Sequence, residues 1–121
     1  MEAGLGEAII GYRDDPVVGP LVMVGAGGIL AELYNDVVLR LAPVDDAGAL
    51  EMIGQVKGLA VLRGYRGLPR GDVKSLARAL SALSRLALIP GRPVGEAEAN
   101  PVIVRRDAVV AVDALAVLKE A

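Results

Sequence analysis

Apolar and polar positions divide the chain into strand-length runs, two helical stretches and glycine-rich connections. Ala8-Ile9-Ile10 is a short apolar run with β-branched residues, ended by the turn-forming Arg13-Asp14-Asp15-Pro16. A strand over 7–11 followed by a turn is predicted. Leu21-Val22-Met23-Val24 follows Gly19-Pro20 and ends in Gly25-Ala26-Gly27-Gly28, which reads as a fully buried strand feeding a glycine-rich loop. A third strand is expected in Leu33-Tyr34-Asn35-Asp36-Val37-Val38-Leu39-Arg40-Leu41, closed by Pro43.

The period then changes. Ala49, Leu50, Ile53 and Val56 have helical spacing, and Asp45 or Asp46 can cap the helix they define. Residues 58–71, after a short apolar piece, carry four glycines and three arginines and read as a loop. The clearest helix starts at the N-cap Asp72 and runs to about Leu88, with Pro90-Gly91 as its stop. Val73, Leu76, Ala77, Leu80, Leu83 and Ala87 make its apolar stripe, and Lys74, Arg78, Ser81 and Arg85 fall on the other face.

Two Val- and Ile-rich runs close the chain, Pro101-Val102-Ile103-Val104 and Ala108-Val109-Val110-Ala111-Val112, around the charged break Arg105-Arg106-Asp107. This is the pattern of a β-hairpin. Both of its faces are apolar, Val102, Val104, Val109 and Ala111 on one and Ile103, Val110 and Val112 on the other, so an interior position is expected. The whole order predicts a single α+β domain over 1–121, a mainly antiparallel sheet with flanking helices.

Composition narrows the chemistry. The chain is 54% hydrophobic without Phe or Trp, so the core must be aliphatic. No His is present, which excludes a histidine base, ligand or phosphohistidine on this chain. No Cys is present either, which excludes disulfides and thiolate metal sites and is compatible with a reducing cytoplasm, the expected compartment. A net charge of −2 with no basic block argues against a nucleic-acid partner. The longest uncharged stretch, 16–31, is broken by four glycines and two prolines, so no membrane span is expected. Glu2 and Glu7 near the start do not suit a signal peptide.

Against this background the hairpin holds the sharpest candidate chemistry. If its loop is Arg106-Asp107, Asn100 lies opposite Asp113, with Cβ atoms ~4.5–5.5 Å apart. Alternation along the strand directs Glu96, Glu98 and Asn100 to one side. Oxygen donors that converge in this way suit a hard divalent cation such as Mg²⁺ shared with phosphate oxygens. Solvated charges at two strand ends are the alternative. Arg-Asp is not a favoured two-residue turn, so a bulged loop with another register also stays open.

Two further features allow two readings each. Gly27 and Gly28 could bring backbone N–H groups to a phosphate, with Glu32, Asn35 and Asp36 close behind, or could form a tight turn. Arg40, set among apolar neighbours, pairs either with an internal carboxylate or with a ligand anion.

Taken jointly, Asp15-Pro16-Val17-Val18-Gly19-Pro20, Gly25-Ala26-Gly27-Gly28-Ile29 with Glu32 and Asp36, and Arg40-Leu41-Ala42-Pro43 resemble the ADP-forming acyl-CoA synthetases of the acetate–CoA ligase type. Gly64-Tyr65-Arg66-Gly67, Glu96-x-Glu98-x-Asn100-Pro101 and Ala111-Val112-Asp113-Ala114 continue the match in order. The resemblance covers nearly the whole chain, but only the carboxyl-terminal part of that family's ATP-grasp domain. It implies a ligase that converts acyl-CoA, ADP and phosphate reversibly to acid, CoA and ATP, with Mg²⁺ and ATP or ADP as cofactors. By the same resemblance Asn100 and Asp113 are the Mg²⁺ ligands with Glu98 beside them and Glu96 a bystander. Gly27, Gly28 and Glu32 line the nucleotide phosphates, and Arg40 stabilises charge in that pocket.

Departures from the family pattern are Glu98 in place of Asp, Ala97 and Ala99 in place of larger aliphatics, and Val18 in place of an aromatic. The family's amino-terminal ATP-grasp lysines and its CoA-binding and histidine-bearing regions have no counterpart here. The chain is therefore expected to be a cloned fragment or a separately encoded piece, inactive alone, with those regions as partners. Two other function classes remain beside the ligase. One is a non-catalytic regulatory module, as in protein acetyltransferases with a synthetase-like region. The other is a structural domain that forms a homo-oligomer through its aliphatic surfaces.

Overall fold

The computed structural model describes residues 5–27, 36–64 and 70–120. Its sheet is built around β1 (Gly6–Asp15), whose Ala8, Ile10 and Tyr12 alternate into the interior. β1 pairs with β2 (Gly19–Ala26) on one side and β4 (Val94–Val104) on the other. β3 (Val37–Leu41) adds outside β2. β5 (Val109–Ala111) and β6 (Ala114–Leu118) follow one another along the outer side of β4. Every pairing is antiparallel, as expected of this α+β chain.

β1 is longer than the sequence predicts. The Asp15 carboxylate accepts the N–H groups of Val17 (2.8 Å) and Val18 (3.0 Å), and Gly19 takes the positive φ of 95° that the turn requires. The reversal is thereby confined to 16–18. Arg13, Asp14 and Asp15 stay in the strand, opposite Leu21, Pro20 and Gly19.

Among the described residues, helices pack on one face only. α1 (Asp46–Gln55) is capped by Asp45, which accepts from Gly48 N–H, and α2 (Val73–Ser84) by Asp72, which accepts from Ser75 N–H. Met52, Leu62, Leu76 and Leu80 are fully buried against Val22, Val24, Val102 and Val104. Each contributes ~1.5–3 kcal/mol by leaving water. No helix among the described residues is long and apolar enough to cross a membrane.

Four sequence expectations change. Part of 58–71, read as loop, is a 3-10 helix, Lys57–Arg63, because the Asp36 carboxylate accepts the N–H groups of Lys57 (3.0 Å) and Gly58 (2.7 Å) and Leu59 and Leu62 are buried. In α1 the predicted stripe holds at Ala49, Ile53 and Val56, but Leu50 is 40% exposed and Met52 is buried with the stripe instead. The second helix passes into 3-10 geometry at Arg85–Leu88. Ser81, expected on the solvent face, is buried with Ser84 under the segment after β3: Ser81 Oγ donates to the Val44 carbonyl (2.9 Å), and Val44 N–H donates to Ser84 Oγ (3.0 Å).

The closing hairpin is not interior. Val102 and Val104 are buried under the helices, but Val110 and Val112 on the opposite face are 44% and 55% exposed, because no second layer among the described residues covers that side.

At the far end of the sheet Asp14, whose side chain is 6% exposed, receives Lys119 Nζ and, at 3.2 Å, Arg92 Nε. Bonding by Lys119 first, with help from Arg92, holds its pKa below the usual value against the opposing effect of burial. An unfolded aspartate titrates near ~3.9. The stability from a depressed carboxylate is complete above that pH and is lost as the pH falls through the folded value.

Two outcomes are expected. In urea titrations between pH 7 and 2, the stability of the wild type declines below about pH 4, and Asp14→Asn is less stable at pH 7 with a shallower acid limb; a parallel acid limb contradicts the assignment. Ser84→Ala, which leaves Val44 N–H unpaired in the interior, lowers the unfolding free energy by about 1–3 kcal/mol in the same assay.

Candidate functional site

Strand pairing sorts the residues into rows across the sheet. Arg40, Val22, Tyr12 and Ala97 form one row, and Val38, Val24, Ile10 and Ala99 another; both face the helices. The alternation sends to the uncovered face the row between them, Leu39, Met23, Gly11, Glu98 and Leu115, and the row beyond that of Arg40, which is Leu41, Leu21, Arg13, Glu96 and Val117.

These rows enclose an open cleft of about 530 Å³. Gly11 forms its floor, where a Cβ would stand 3.4 Å from Met23 Cε. Leu21, Met23, Leu39, Leu115 and Val117 make its apolar walls, and Glu96, Glu98 and Arg13 bring charge to it. Leu39 and Leu115 are 58% and 63% exposed.

Asn100 and Asp113 lie further along β4 on the sheet's outer side. The hairpin takes the register set by a two-residue loop: Arg105 N–H donates to the Ala108 carbonyl (2.9 Å), and Asn100 N–H donates to the Asp113 carbonyl (3.0 Å). Neither Arg106 nor Asp107 has a positive φ, so the turn is not of the mirror-image kind that two-residue loops favour. The expected opposition of Asn100 and Asp113 therefore forms despite an unfavourable turn sequence.

Alternation along β4, by contrast, does not run through to Asn100. Opposite β1 the register shifts between Ala8↔Val102 and Ile10↔Ala99, so Asn100 and Pro101 together face the single residue Ile9. This bulge changes which parity points inward, from Ala97 to Val102. Glu96 and Glu98 consequently stand over the cleft beside Val117 and Leu115, whereas Asn100 sits half-buried in the irregular stretch. Among the described residues no group of three or more Asp, Glu, His or Cys side chains converges, so the cluster of three carboxylates expected from alternation does not form there.

What remains is the backbone opposition of Asn100 and Asp113. Asp113 Oδ1 accepts Ala114 N–H (2.9 Å), and its Oδ2 and the Asn100 side chain have no hydrogen-bond partner among the described residues. One carboxylate and one amide oxygen fit Mg²⁺, which takes few protein ligands and completes its shell with water and phosphate oxygens. Glu98 is exposed and without an ion pair among the described residues.

Arg40 and Gly27 have other work. Arg40 faces the helices, where Nη1 meets Glu51 Oε2 (3.1 Å) and the Gly48 carbonyl (3.3 Å). It lies three strand spacings, roughly 14 Å, from β4, and on the opposite side of the sheet from Glu98. The structure thus takes the internal-carboxylate reading and does not bring Arg40 into the pocket. Gly27 N–H already donates to the Glu7 carbonyl (2.8 Å), and a Cβ there would stand 2.7 Å from Glu7 Cβ. Close packing on β1 accounts for this glycine, and its N–H is not free for phosphate. Gly28 and Glu32 lie outside the described residues. The cleft itself was missed, although the alternation of Gly11 and Arg13 with Ile10 and Tyr12 carried a trace of it.

A profile of the ATP-grasp domain family matches residues 1–118. The β subunit of ADP-forming acetate–CoA ligase I from Pyrococcus furiosus is 39% identical over 113 residues, 93% of this chain and 48% of that subunit. ADP-forming 4-hydroxybutyrate–CoA ligase from Nitrosopumilus maritimus is 38% identical over 104 residues, 86% of this chain and 15% of that protein. Among solved structures, dinucleotide-forming acetyl-coenzyme A synthetase 1 of Ca. Korarchaeum cryptofilum, in complex with coenzyme A and Mg-AMPPCP, superposes with a TM-score of 0.89 at 36% identity. It covers 98% of this chain and 55% of its own. The chain thus spans about half the length of the β-subunit relative and a small part of the single-chain enzyme.

Substituting the residue that faces away gives the check on this geometry. Arg40→Ala is expected to cost at most about 1 kcal/mol in urea unfolding, because its ion pair is partly exposed, and to leave any nucleotide or magnesium binding measured by calorimetry unchanged.

Proposed function

Because the chain belongs to the ATP-grasp domain family, we propose that residues 1–121 are a single domain, that family's carboxyl-terminal subdomain, and bind magnesium-complexed ATP or ADP on the uncovered sheet face. The opposition of Asn100 and Asp113 at the end of an apolar, unoccluded sheet surface carries this reading.

Asn100 Oδ1 and Asp113 Oδ2 hold the cation, and Glu98 orients its water shell. Leu21, Met23, Leu39 and Leu115 offer the apolar bed on which a flat base excludes water. Gly28 and Glu32 line the phosphates, as the family resemblance implies. Magnesium, when bound, supplies positive charge that offsets repulsion between phosphate oxygens. What the protein adds is position: the backbone bond from Asn100 N–H to the Asp113 carbonyl sets the two residues opposite one another before phosphate arrives.

Since relatives that carry this region are ADP-forming acid–CoA ligases, the proposed activity of the full protein is the reversible conversion of acyl-CoA, ADP and phosphate to acid, CoA and ATP. The amino-terminal ATP-grasp region and the CoA-binding region are its proposed partners, the first closing over the nucleotide from the open side. That arrangement gives the exposed apolar rows a reason to exist.

Calorimetric titration of ADP and ATP with and without Mg²⁺ tests the assignment. Wild type is expected to bind nucleotide more tightly with magnesium, and Asn100→Ala/Asp113→Ala to lose that dependence by at least about tenfold. Equal heats in the two proteins would sink it.

A further inference from the structure

β6 closes one edge of the sheet. It pairs with β4 and with no other strand among the described residues, and Ala114, Leu115, Ala116, Val117 and Leu118 are all exposed. Native sheets blunt an edge with charge, proline or a bulge. β6 has no charge and no proline within its span, and the extra residue in its ladder, Gly95, belongs to β4.

The backbone of this edge is open as well. At one end the Asp113 carbonyl accepts Asn100 N–H (3.0 Å), and at the other Lys119 N–H donates to the Pro93 carbonyl (2.8 Å). Both groups point toward β4 and its lead-in. The alternation of an antiparallel ladder therefore turns the N–H and C=O groups of Ala114, Ala116 and Leu118 outward.

The sequence of the edge is complementary to itself. When two copies pair antiparallel about a two-fold axis at Ala116, Ala114 of one copy meets Leu118 of the other, Leu115 meets Val117, and Asp113 meets Lys119. Apolar side chains thus oppose apolar ones and an acid opposes a base. Lys119 and Arg92 share the single carboxylate of Asp14, so that end has positive charge left for the facing Asp113. Glu120 falls opposite Val112, so no like charges meet. Neighbouring registers lose this match: a centre at Leu115 sets Asp113 against Val117, and a centre at Val117 sets Lys119 against Leu115.

We propose that β6 pairs with β6 of a second copy of this chain, antiparallel about a two-fold axis at Ala116, joining two sheets into one. The outward N–H and C=O groups of Ala114, Ala116 and Leu118 then bond across the axis, and Leu115 and Val117 pack on each other in the closer, non-hydrogen-bonded pairs. This pairing stands whether or not the open face binds nucleotide.

Five residues a side make a small contact, so a reversible dimer that grows with concentration is expected. Sedimentation equilibrium compares wild type with Ala116→Pro. Proline removes only an outward N–H, which an edge strand tolerates. Ala116→Pro is therefore expected to keep the wild-type urea midpoint and to raise the dimer dissociation constant at least about tenfold. Because the chain has no Cys, single cysteines report the register even where the proline variant fails to fold. Under catalysed air oxidation Ala116→Cys, with Cα atoms ~5.5 Å apart across the axis, is expected to form a disulfide dimer. Ala114→Cys, with its two copies ~14 Å apart, is expected to form little. A wild type that stays monomeric overturns the second copy as occupant and leaves the edge to a strand of a different chain. A dimer unchanged in a folded Ala116→Pro, or Ala114→Cys cross-linking as readily as Ala116→Cys, overturns the pairing.

Discussion

Among the described residues, helices cover this sheet on one side only, and most of what the molecule can do follows from that asymmetry. Met52, Leu62, Leu76 and Leu80 bury the inward rows of β1, β2 and β4 completely, so the sheet is rigid without help from its other face. That other face keeps Leu39, Leu41, Leu115 and Val117 in solvent. Exposed apolar surface on this scale is held at a cost in solubility and marks a surface with a partner or ligand.

The same asymmetry separates structural charges from candidate chemical ones. Arg40 has its carboxylate in Glu51, and Asp36, Asp45 and Asp72 are bound to helix N-termini. Each faces or flanks the helical layer. Glu96 and Glu98 face the open side without partners among the described residues. An ATP-grasp domain that offers such a face fits with a chain spanning about half of its β-subunit relative, since a nucleotide held on a bare sheet gains from a second wall.

A good part of the fold was legible in the sequence. Asp45 and Asp72 announced their helices, and Val- and Ile-rich runs announced the strands. The Asn100–Asp113 opposition followed from counting outward from Arg106-Asp107. Errors arose where a local pattern met a distant partner. Ser81 looked like a surface residue until Val44 came to it from the other side of the fold. Residues 57–63 looked like loop until Asp36, far away in sequence, capped them. Gly27 resembled a phosphate loop because a glycine required by strand packing and one required by a ligand look alike in sequence.

By itself the sequence determined most element types, the aliphatic core, the exclusion of histidine and thiolate chemistry, and the opposition of Asn100 and Asp113, because periodicity, caps and composition are properties of neighbouring residues. Only the tertiary structure decided which side each row faces. A single bulge at Asn100-Pro101 changes the parity of β4 and keeps Glu96 and Glu98 from joining Asp113 in a tight cluster. Likewise only the fold could bring Asp14 to Lys119, since strand order, and not distance along the chain, sets which ends of a sheet meet.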